Sequence, residues 1–354
     1  MNVIQKLLHR PFFIKLFNWE YWSFNAVYGW VLPVWALLAL RARSFFFFSA
    51  SNPGIEYGGF VMESKMKIYD IMPPHTYPNT FLVTAGTHTQ TILNKITALG
   101  YSYPLIAKPD IGGRGRGVRK IATPQDVDSY AQHTTIDFLI QEFAPQPNEV
   151  GIFYYRYPNK PTGTLSGIVR KEFLSVTGNG KDSIQQLILQ DKRAVLQIET
   201  LQQVYGNALH TVLKNGELKE LVPYGNHARG AKFINDSHRI TPQLTATIDA
   251  ICQQVPGFYF GRLDIRFNTW EELSRGENYS IIEINGAGSE PTHMYDPKHS
   301  IFFAWKEIIR HWVILCRISR MNHKNGIAYL SFKEGRQLLK ENAAFEKKLD
   351  HLTI

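Results

Sequence analysis

The stretch "GFYFGRLDIRF", residues 257–267, ends in a run where apolar and polar side chains alternate. Such alternation is typical of a β-strand with one buried face. The stretch "YSIIEING", residues 279–286, has a similar character and follows the polar connector "NTWEELSRGEN". Two strands joined in this way predict a β-hairpin.

The polar residues of this hairpin predict a metal site. Asp264 lies on the first strand, while Glu283 and Asn285, two residues apart on the second strand, share a face. Two carboxylates and an amide oxygen are hard ligands that suit Mg²⁺, which commonly bridges to substrate phosphates. In the alternative interpretation, the carboxylates pair with the neighbouring Arg262 and Arg266. We favour the metal site because Glu283 follows apolar residues and would lie at the inner end of its strand.

A glycine-rich loop predicts an anion-binding site. In "LIAKPDIGGRGRGV", residues 105–118, Lys108 stands at the end of an apolar run that predicts a strand. A loop follows whose backbone N–H groups could fold over an anion. The loop contains Gly112, Gly113, Gly115 and Gly117. The stretch is neither a Walker A sequence nor a dinucleotide fingerprint, so a basic surface turn is the alternative.

The rest of the chain alternates helical and strand patterns. Helices are predicted at "TQTILNKITAL" (89–99), at "TPQDVDSYAQH" with Thr123 as its cap, and over residues 182–206. The run "SFFFFSAS" (44–51) predicts a buried strand, and residues 58–80, rich in Gly and Pro, predict an irregular connection. Together these patterns predict the α+β class.

Composition sets broad limits on function. The 354 residues, 44% of them apolar, suffice for a globular protein of two or three domains. A formal net charge of +9 favours anionic partners such as nucleotides, lipid headgroups or nucleic acid. Two scattered cysteines, Cys252 and Cys316, argue against a disulfide framework or a thiolate metal site and favour a reducing compartment. We therefore expect a cytoplasmic protein.

An aromatic segment at residues 21–40 carries no charged side chain and approaches the length of a membrane span. Polar residues and Pro33 interrupt it, and basic residues flank both of its ends, which disfavours a full span. Its tryptophans and tyrosines suit the interface between water and lipid. Two alternatives stay open: a segment lying on the inner face of the membrane, and a helical hairpin buried in the protein.

Four motifs occur in the order and at roughly the spacing of the ATP-grasp ligases. They are "KPDIGGRGRGV", "FLIQEFAPQPNEVGIFYYR", "GRLDIRF" and "IIEINGAGSEPTH". The sequence resembles most the branch that contains D-alanine–D-alanine ligase, RimK-type glutamate ligases and cyanophycin synthetase. The segment "SVTGNGKDSIQQLI" is similar to part of the cyanophycin synthetase ligase domain. The resemblance implies the ATP-grasp fold, in which two α+β lobes hold ATP.

The resemblance also implies a division of the chain. It covers roughly residues 85–300, with one ATP-grasp lobe over 85–148 and a second lobe, which carries the metal site, over 149–300. Residues 1–84 would form an N-terminal segment with the aromatic region and a small α/β unit. Residues 301–354 would form a helical tail.

Roles in nucleotide binding follow from the same resemblance. Lys108 would contact the α- and β-phosphates of ATP, and the four-glycine loop would close over them. The segment Gln141, Glu142 and Phe143 would face adenine. Glu149 would hold the ribose hydroxyls.

Catalytic roles follow as well. Asp264, Glu283 and Asn285 match ligands of Mg²⁺, with two ions expected and Mn²⁺ as an alternative. Arg262 would steady an acyl phosphate and the tetrahedral intermediate, and Lys171 and Arg229 are further candidates for phosphate contacts. Although the segment around Gly288 departs from that of the dipeptide ligases, its backbone N–H could still bind an oxyanion.

These roles imply an ATP-dependent ligase that joins a carboxylate to an amine through an acyl phosphate and releases ADP and phosphate. The alternative is an ATP-binding regulatory protein of the same fold without ligase turnover. The expected partners are a carboxylate and an amine, one of them amphipathic or lipid-linked, with peripheral membrane contact and no nucleic acid. A homo-oligomer is left open.

Overall fold

The computed structural model describes residues 10–113, 115–222, 225 and 227–352. Residues 1–9 of the predicted N-terminal segment, Arg114 of the glycine-rich stretch and the last two residues of the predicted tail lie outside this part. The chain forms two compact units. The first unit comprises Met1–Leu32, Val169–Asp236 and Thr292–Glu307, and the second comprises Pro33–Ile168, Ser237–Pro291 and Ile308–Ile354.

Helices and antiparallel strands together confirm the α+β class and the helical C-terminal segment. The helices of the described residues are α1 (Pro11–Phe17), α2 (Phe24–Tyr28), α3 (Leu32–Ala42), α4 (Lys65–Asp70), α5 (Thr89–Ala98), α6 (Pro124–His133), α7 (Ile184–Gln190), α8 (Ile198–Tyr205), α9 (Pro242–Gln253), α10 (Trp270–Arg275), α11 (Ile301–Lys324) and α12 (Phe332–Asp350). The strands are β1 (Thr80–Val83), β2 (Leu105–Pro109), β3 (Arg119–Ile121), β4 (Phe138–Glu142), β5 (Asn148–Tyr155), β6 (Thr164–Glu172), β7 (Leu174–Thr177), β8 (Leu218–Val222), β9 (Lys232–Asn235), β10 (Phe260–Phe267) and β11 (Tyr279–Asn285).

A four-stranded antiparallel sheet with the order β1-β4-β2-β3 lies in the second unit. Helices α5 and α6 pack on it through Ile92, Ile96, Val127 and Tyr130, all buried. The predicted cap of α6 is confirmed, because the Thr123 side chain accepts from an N–H of the first turn in a capping box. This sheet carries Lys108 at the end of β2.

The predicted hairpin forms a second sheet of this unit, where β10 pairs antiparallel with both β11 and β5. Leu263, Ile265 and Phe267 of β10 are buried in a core that also contains apolar residues of α9. Because side chains alternate along a strand, Arg262 and Asp264 lie on the opposite face. Burial of the apolar side chains of β10 therefore makes Arg262 and Asp264 point away from this core.

One extra residue interrupts the pairing of β11 with β10. Asp264 pairs with Glu283, but its neighbour Ile265 pairs with Ile281, so Ile282 is an additional residue in β11. Such a β-bulge bends a strand and changes the direction of the side chains next to it. As a result Glu283 faces the same side as Asp264, while Ile281 and Ile284 stay in the core.

The prediction of a strand at residues 44–51 was wrong. The segment contains a 3-10 helix at Phe47–Ala50. A strand on the surface of a core buries alternate side chains, whereas the successive residues Phe46, Phe47 and Phe48 are all buried here. They join a core with Trp35 of α3 and with α11, so the run supplies buried aromatic area without pairing in a sheet.

The first unit has a separate core. The hairpin β7–β8, with α7 and α8, surrounds apolar residues such as Leu174, Ile188 and Leu221. Strand β9 pairs with Val169–Glu172, the end of β6. The helix predicted over residues 182–206 is divided into α7, a 3-10 turn and α8, because the Asp191 side chain accepts N–H groups of the two residues that open the turn.

The aromatic N-terminal segment contains both buried and exposed side chains. Tyr28 is buried in the first unit and Trp35 in the second, whereas Phe24 and Trp30 are exposed, Trp30 by 76%. Among the described residues, no helix combines the length and the apolarity that crossing a bilayer requires.

Candidate functional site

Lys108 is held at the meeting point of the two sheets of the second unit. Its Nζ donates to the Tyr69 hydroxyl at 2.9 Å, to Gln141 Oε1 at 2.9 Å and to the Ile282 carbonyl oxygen at 3.1 Å. Tyr69 of α4 donates to the same carbonyl at 2.5 Å. The bulge in β11 therefore supplies the acceptor through which β2 and β11 are joined.

Burial controls the charge of this lysine. Removal from water lowers the pKa of Lys108 to about 8, and the negative charges of Glu283 and Asp110 partly oppose this shift. Burial also raises the pKa of the Tyr69 hydroxyl, which stays protonated and can donate. The predicted phosphate lysine is thus a buried cation whose three N–H groups meet protein acceptors.

The segment predicted to face adenine lies directly beside Lys108. Gln141 is buried and also donates from Nε2 to the Thr80 hydroxyl at 2.7 Å. The Glu142 carboxylate accepts a hydrogen bond from the side-chain amide of Asn79 at 2.8 Å. This acidic side chain therefore has a partner within the protein. The Phe143 ring lies 4.6 Å from the ammonium of Lys120, within the range of a cation–π contact.

Glu283 and Asn285 share a face, as predicted, and Asp264 and Arg262 of the neighbouring strand lie on the same face. Asp264 is paired in register with Glu283, and Arg262 with Asn285. Arg262 donates to both oxygens of Asp264, at 2.8 and 3.2 Å. The alternative of pairing with arginine therefore describes Asp264 in this structure.

Glu283 has a partner that the sequence did not indicate. Its Oε1 lies 3.4 Å from Nζ of Lys65, the first residue of α4. Lys65 lies inside the Gly- and Pro-rich stretch for which we expected no regular structure. The "ESKMK" run, residues 63–67, offers only a serine that can cap a short helix as a signal.

The donor set of this face fits a hard metal ion. Asp264, Glu283 and Asn285 together offer carboxylate and amide oxygens, the ligands Mg²⁺ prefers. Asn285 Nδ2 is buried and has no hydrogen-bond partner among the described residues, so an acceptor from a ligand would satisfy it. No group of three or more His, Cys, Asp and Glu side chains that could hold a metal ion occurs in the described residues.

Glu149, the predicted ribose ligand, is buried at the start of β5, the strand next to β10. It is paired in register with Arg266, whose Nε lies 3.6 Å from Glu149 Oε2. The Arg266 guanidinium also approaches the ring of Phe143 at 6.0 Å. The residues predicted for ribose and for adenine are therefore neighbours around Arg266.

The glycine-rich loop is held by residues outside it. The carbonyl oxygen of Gly112 accepts from Lys65 Nζ. Gly112 has a φ of +132°, a backbone conformation that residues with a side chain rarely adopt, and a Cβ there would lie 2.9 Å from the Leu349 side chain, which would have to shift. Arg116 forms ion pairs with Glu346 at 2.5 Å and Asp350 at 2.9 Å, both on α12.

The suggestion that the Gly288 N–H could bind an oxyanion is not met in this conformation. That N–H donates to the carbonyl oxygen of Gly59 at 2.8 Å, and the N–H of Ala287 donates to Gly58 at 3.0 Å. A Cβ on Gly288 would lie 2.2 Å from the Phe60 carbonyl oxygen. Close packing of these two loops accounts for the glycine.

Lys171 and Arg229, the other predicted phosphate contacts, lie in the first unit. Lys171 is on β6 opposite Phe233, and Arg229 ends a 3-10 helix that starts at His227.

The first unit also contains a cavity of about 590 Å³, which is lined by charged side chains of both signs, among them Glu20 and Arg193. Glu20 accepts from Arg193 at 2.6 Å and contacts His227 Nε2 at 2.9 Å, and these partners lower its pKa against the effect of burial.

No protein-family model and no curated protein matches the chain. Among solved structures, it is similar to the VanG D-Ala:D-Ser ligase from Enterococcus faecalis, with 13% identity and a TM-score of 0.41 over 72% of this chain and 61% of that one. It is similar to D-alanine–D-alanine ligase from Bacillus anthracis, with 10% identity and a TM-score of 0.39 over 74% and 67%. A third similar structure is the bifunctional glutathione synthetase from Pasteurella multocida, with 13% identity and a TM-score of 0.39 over 68% of this chain but only 34% of that one. Ligases of the kind that the four motifs resemble are thus among the similar structures.

Proposed function

We propose that this chain is an ATP-dependent ligase that joins a carboxylate to an amine and releases ADP and phosphate. The observation that carries the proposal is the contact of Lys108 Nζ with the Ile282 carbonyl oxygen at 3.1 Å. This contact brings the lysine and its glycine-rich loop to the strand that presents Glu283 and Asn285. A cluster of cations beside hard oxygen ligands is the arrangement that phosphoryl transfer requires.

Each group of residues has a part in this proposal. Lys108 and the glycine-rich loop would bind the α- and β-phosphates, and the segment from Gln141 to Phe143 would bind adenine. Glu149 would bind the ribose hydroxyls. Mg²⁺, as one or two ions, or Mn²⁺ in its place, would be held by the oxygens of Asp264, Glu283 and Asn285, and when bound it would offset the negative charge of the phosphates.

The reaction balances without a further reactant. An oxygen of the substrate carboxylate attacks the γ-phosphorus, and the bond to the bridging oxygen breaks, so that ADP leaves with the electron pair. The amine then attacks the carbonyl carbon of the acyl phosphate, phosphate leaves, and the nitrogen loses a proton. Arg262, which is partly buried and pairs with Asp264, would stabilise the oxygen that becomes negative in the second step.

The alternative, an ATP-binding protein without turnover, has one observation in its favour. Lys108 and Asp264 are already bonded to protein groups, through Tyr69, Gln141 and Arg262. Nucleotide and metal would have to displace some of these contacts before any chemistry could take place.

Measurement of ADP release separates the two functions. The purified chain is incubated with ATP, Mg²⁺ and pools of carboxylates and amines, and each product is identified by its mass. A ligase releases ADP in repeated turnovers only when both its acid and its amine are present. ATP binding with no ADP release from any pool would support the regulatory alternative, and no ATP binding in the presence of Mg²⁺ would overturn both.

Contact with a membrane is a further part of the proposal, supported by the exposed apolar side chains of the first unit. In α1, Ile14 is buried but Phe12 and Phe17 are each 68% exposed, and Trp30 and Phe302 are exposed still more. Aromatic side chains of this kind favour the interface between water and lipid. This location, at the cytoplasmic face of the membrane, would suit an amphipathic or lipid-linked substrate.

Sedimentation with lipid vesicles tests the membrane contact. The chain should sediment with vesicles that contain anionic lipid, and the double substitution Phe12→Ser and Phe17→Ser should weaken this binding while ADP release on water-dissolved substrates is unchanged. A matched control is Leu218→Ser, an exposed apolar residue on β8. Absence of sedimentation for the unmodified chain would contradict the contact.

A further inference from the structure

Helix α3 has an exposed face that is apolar. From Pro33 onward the helix belongs to the second unit. Its buried side chains lie on one face and are Trp35, Leu38, Ala39 and Ala42. On the opposite face Leu37 is 65% and Leu40 74% exposed, and no charged residue occurs in the helix before Arg41. A surface helix ordinarily carries polar side chains on its outer face, so the outer face of α3 is suited to apolar surroundings.

Helix α11 packs directly against α3 within the second unit. The rings of Trp35 and Trp312 meet edge to face, with 5.0 Å between their centroids. The Cys316 thiol donates to the carbonyl oxygen of Leu38 at 3.6 Å. The two helices are therefore neighbours and share one apolar core.

The outer face of α11 is basic. From Ile308 to Lys324 the helix contains no aspartate or glutamate, and its lysine and arginine residues are Arg310, Arg317, Arg320 and Lys324. Their spacings of seven, three and four residues place them on one face of an α-helix. Three of them are exposed and Arg320 is partly exposed. At 1.5 Å per residue this row of cations is roughly 21 Å long.

Two of these cations are held in place by neutral groups. The Arg317 guanidinium lies 4.5 Å from the centre of the Tyr157 ring. Arg310 donates from Nη2 to the carbonyl oxygen of Ser166 at 2.7 Å. These contacts orient the two side chains without neutralising their charge. The outer faces of α3 and α11, with Leu37, Leu40 and the four cations, are named the α3–α11 surface below.

The α3–α11 surface matches the chemistry of a membrane that contains anionic lipid. Exposed apolar side chains enter the boundary between headgroups and acyl chains, while lysine and arginine are attracted by the negative headgroups. Nucleic acid would also attract the cations, but it gives no reason for the exposed leucines. A second copy of the chain could cover the leucines, but it would bring two rows of like charge together.

We propose that the second unit binds the surface of an anionic membrane, with Leu37 and Leu40 among the lipid chains and the cations of α11 at the headgroups. This inference rests on the membrane contact in the proposed function. It adds a lipid class to that contact and a second set of residues that make it.

Salt dependence separates the two parts of the α3–α11 surface. Binding is measured by sedimentation with vesicles of phosphatidylcholine and phosphatidylglycerol, in a ratio of about two to one, at several salt concentrations. The pair Arg317→Gln and Lys324→Gln should weaken binding about 20-fold at low salt and reduce its salt dependence, because each cation near an anionic surface contributes about fivefold. The pair Leu37→Ser and Leu40→Ser should weaken binding about tenfold and leave the salt dependence unchanged, because only apolar area is removed.

Matched controls carry the same chemical changes at other positions. The pair Lys340→Gln and Lys347→Gln removes two charges from α12, where acidic and basic residues are interspersed. The pair Leu99→Ser and Leu189→Ser replaces leucines that are 50% and 49% exposed. Both controls should bind vesicles within about twofold of the unmodified chain, since distant charges are screened. All four variants should release ADP from water-dissolved substrates at the unmodified rate.

The outcomes distinguish this inference from the proposed function. If the unmodified chain binds vesicles and the leucine pair changes nothing, or the cation pair keeps the full salt dependence, the role of the α3–α11 surface is wrong and the contact of the first unit stands. If the unmodified chain binds no vesicles, both membrane contacts fall, while the ligase reaction is still judged by ADP release without lipid.

Two further results would replace the membrane by another partner. A dimer of the unmodified chain that Leu40→Ser dissociates in analytical ultracentrifugation would make α3 an interface between copies. Binding of single-stranded RNA more tightly than vesicles, lost in the cation pair, would make α11 a nucleic-acid surface. Should the leucine pair lower the melting temperature strongly, Leu40→Ser alone takes its place, with an expected loss in vesicle affinity of about threefold.

Discussion

The end of β2 and the start of α4 each bring one lysine to the same site, and they hold it in different ways. Lys108 is buried among three neutral acceptors, and burial lowers its pKa to about 8. Lys65 has 13% of its side chain exposed and contacts a carboxylate and the glycine-rich loop. The first lysine is held by hydrogen bonds to neutral groups and the second by an ion pair and one hydrogen bond, so ligands should affect the two lysines differently.

The largest effect is expected from removal of the charge that both lysines experience. Glu283→Gln should lower ADP release at least about 100-fold, because a ligand of the metal ion is lost. The substitution also removes the partner of Lys65 and a charge that favours protonated Lys108. Rates are compared with those of Glu277→Gln, an exposed residue that pairs with Arg275. Unchanged ADP release in Glu283→Gln would contradict the metal assignment.

A pH effect of intermediate size should come from Lys108 alone. Below pH 8 the lysine is already charged in the free protein, so its contribution to ATP affinity is constant. As the pH rises above about 8, the free protein loses this proton, and affinity should fall by up to about tenfold per pH unit. Calorimetry from pH 7 to 9.5 measures the fall.

The control for this pH effect removes the titrating group. The groups that face Lys108 are Glu283 of β11, Asp110 after β2 and Tyr69 of α4, whose pKa is raised by burial. Lys108→Met should therefore bind ATP weakly and without a step near pH 8. The same step in this variant would mean that another group controls binding.

The smallest effect is expected at the far end of the glycine-rich loop. Arg116→Met removes the ion pairs with Glu346 and Asp350, which are largely exposed, so the free energy of unfolding should fall by about 0.2–1 kcal/mol. Urea unfolding measures it, with Arg275→Met, which loses a surface pair with Glu277, as the control. A loss well above that of the control would show that the contacts of Arg116 with α12 stabilise the protein more than a surface ion pair does.

Strong periodic patterns allowed much of the site to be predicted. The spacing of Glu283 and Asn285 in β11 correctly placed these two side chains on one face, while their position beside Arg262 and Asp264 depends on a bulge that the sequence did not reveal. The apolar run before Lys108 correctly predicted β2. These elements could be recognised because the burial of one strand face leaves a regular trace in the sequence.

The features that the sequence did not predict depend on contacts between residues that are distant in the chain. Helix α4 has only six residues, too few for a helical pattern, and it is stabilised by Asp110 and by burial of Tyr69. The pairing of Asp264 with Arg262 was only one of two interpretations, since a sequence does not show which partner an acid takes. The 3-10 turn at Phe47–Ala50 arose from the shape of the surrounding aromatic core.

The bulge at Ile282 makes the site sensitive to the length of β11 rather than to the chemistry of that residue. What Ile282 contributes is its carbonyl oxygen and its place as an extra residue in the ladder. Exchange of its side chain for valine or leucine should therefore be tolerated. Deletion of the residue should not, because a shift by one position would turn either the ligand residues or the core residues of the strand to the wrong side.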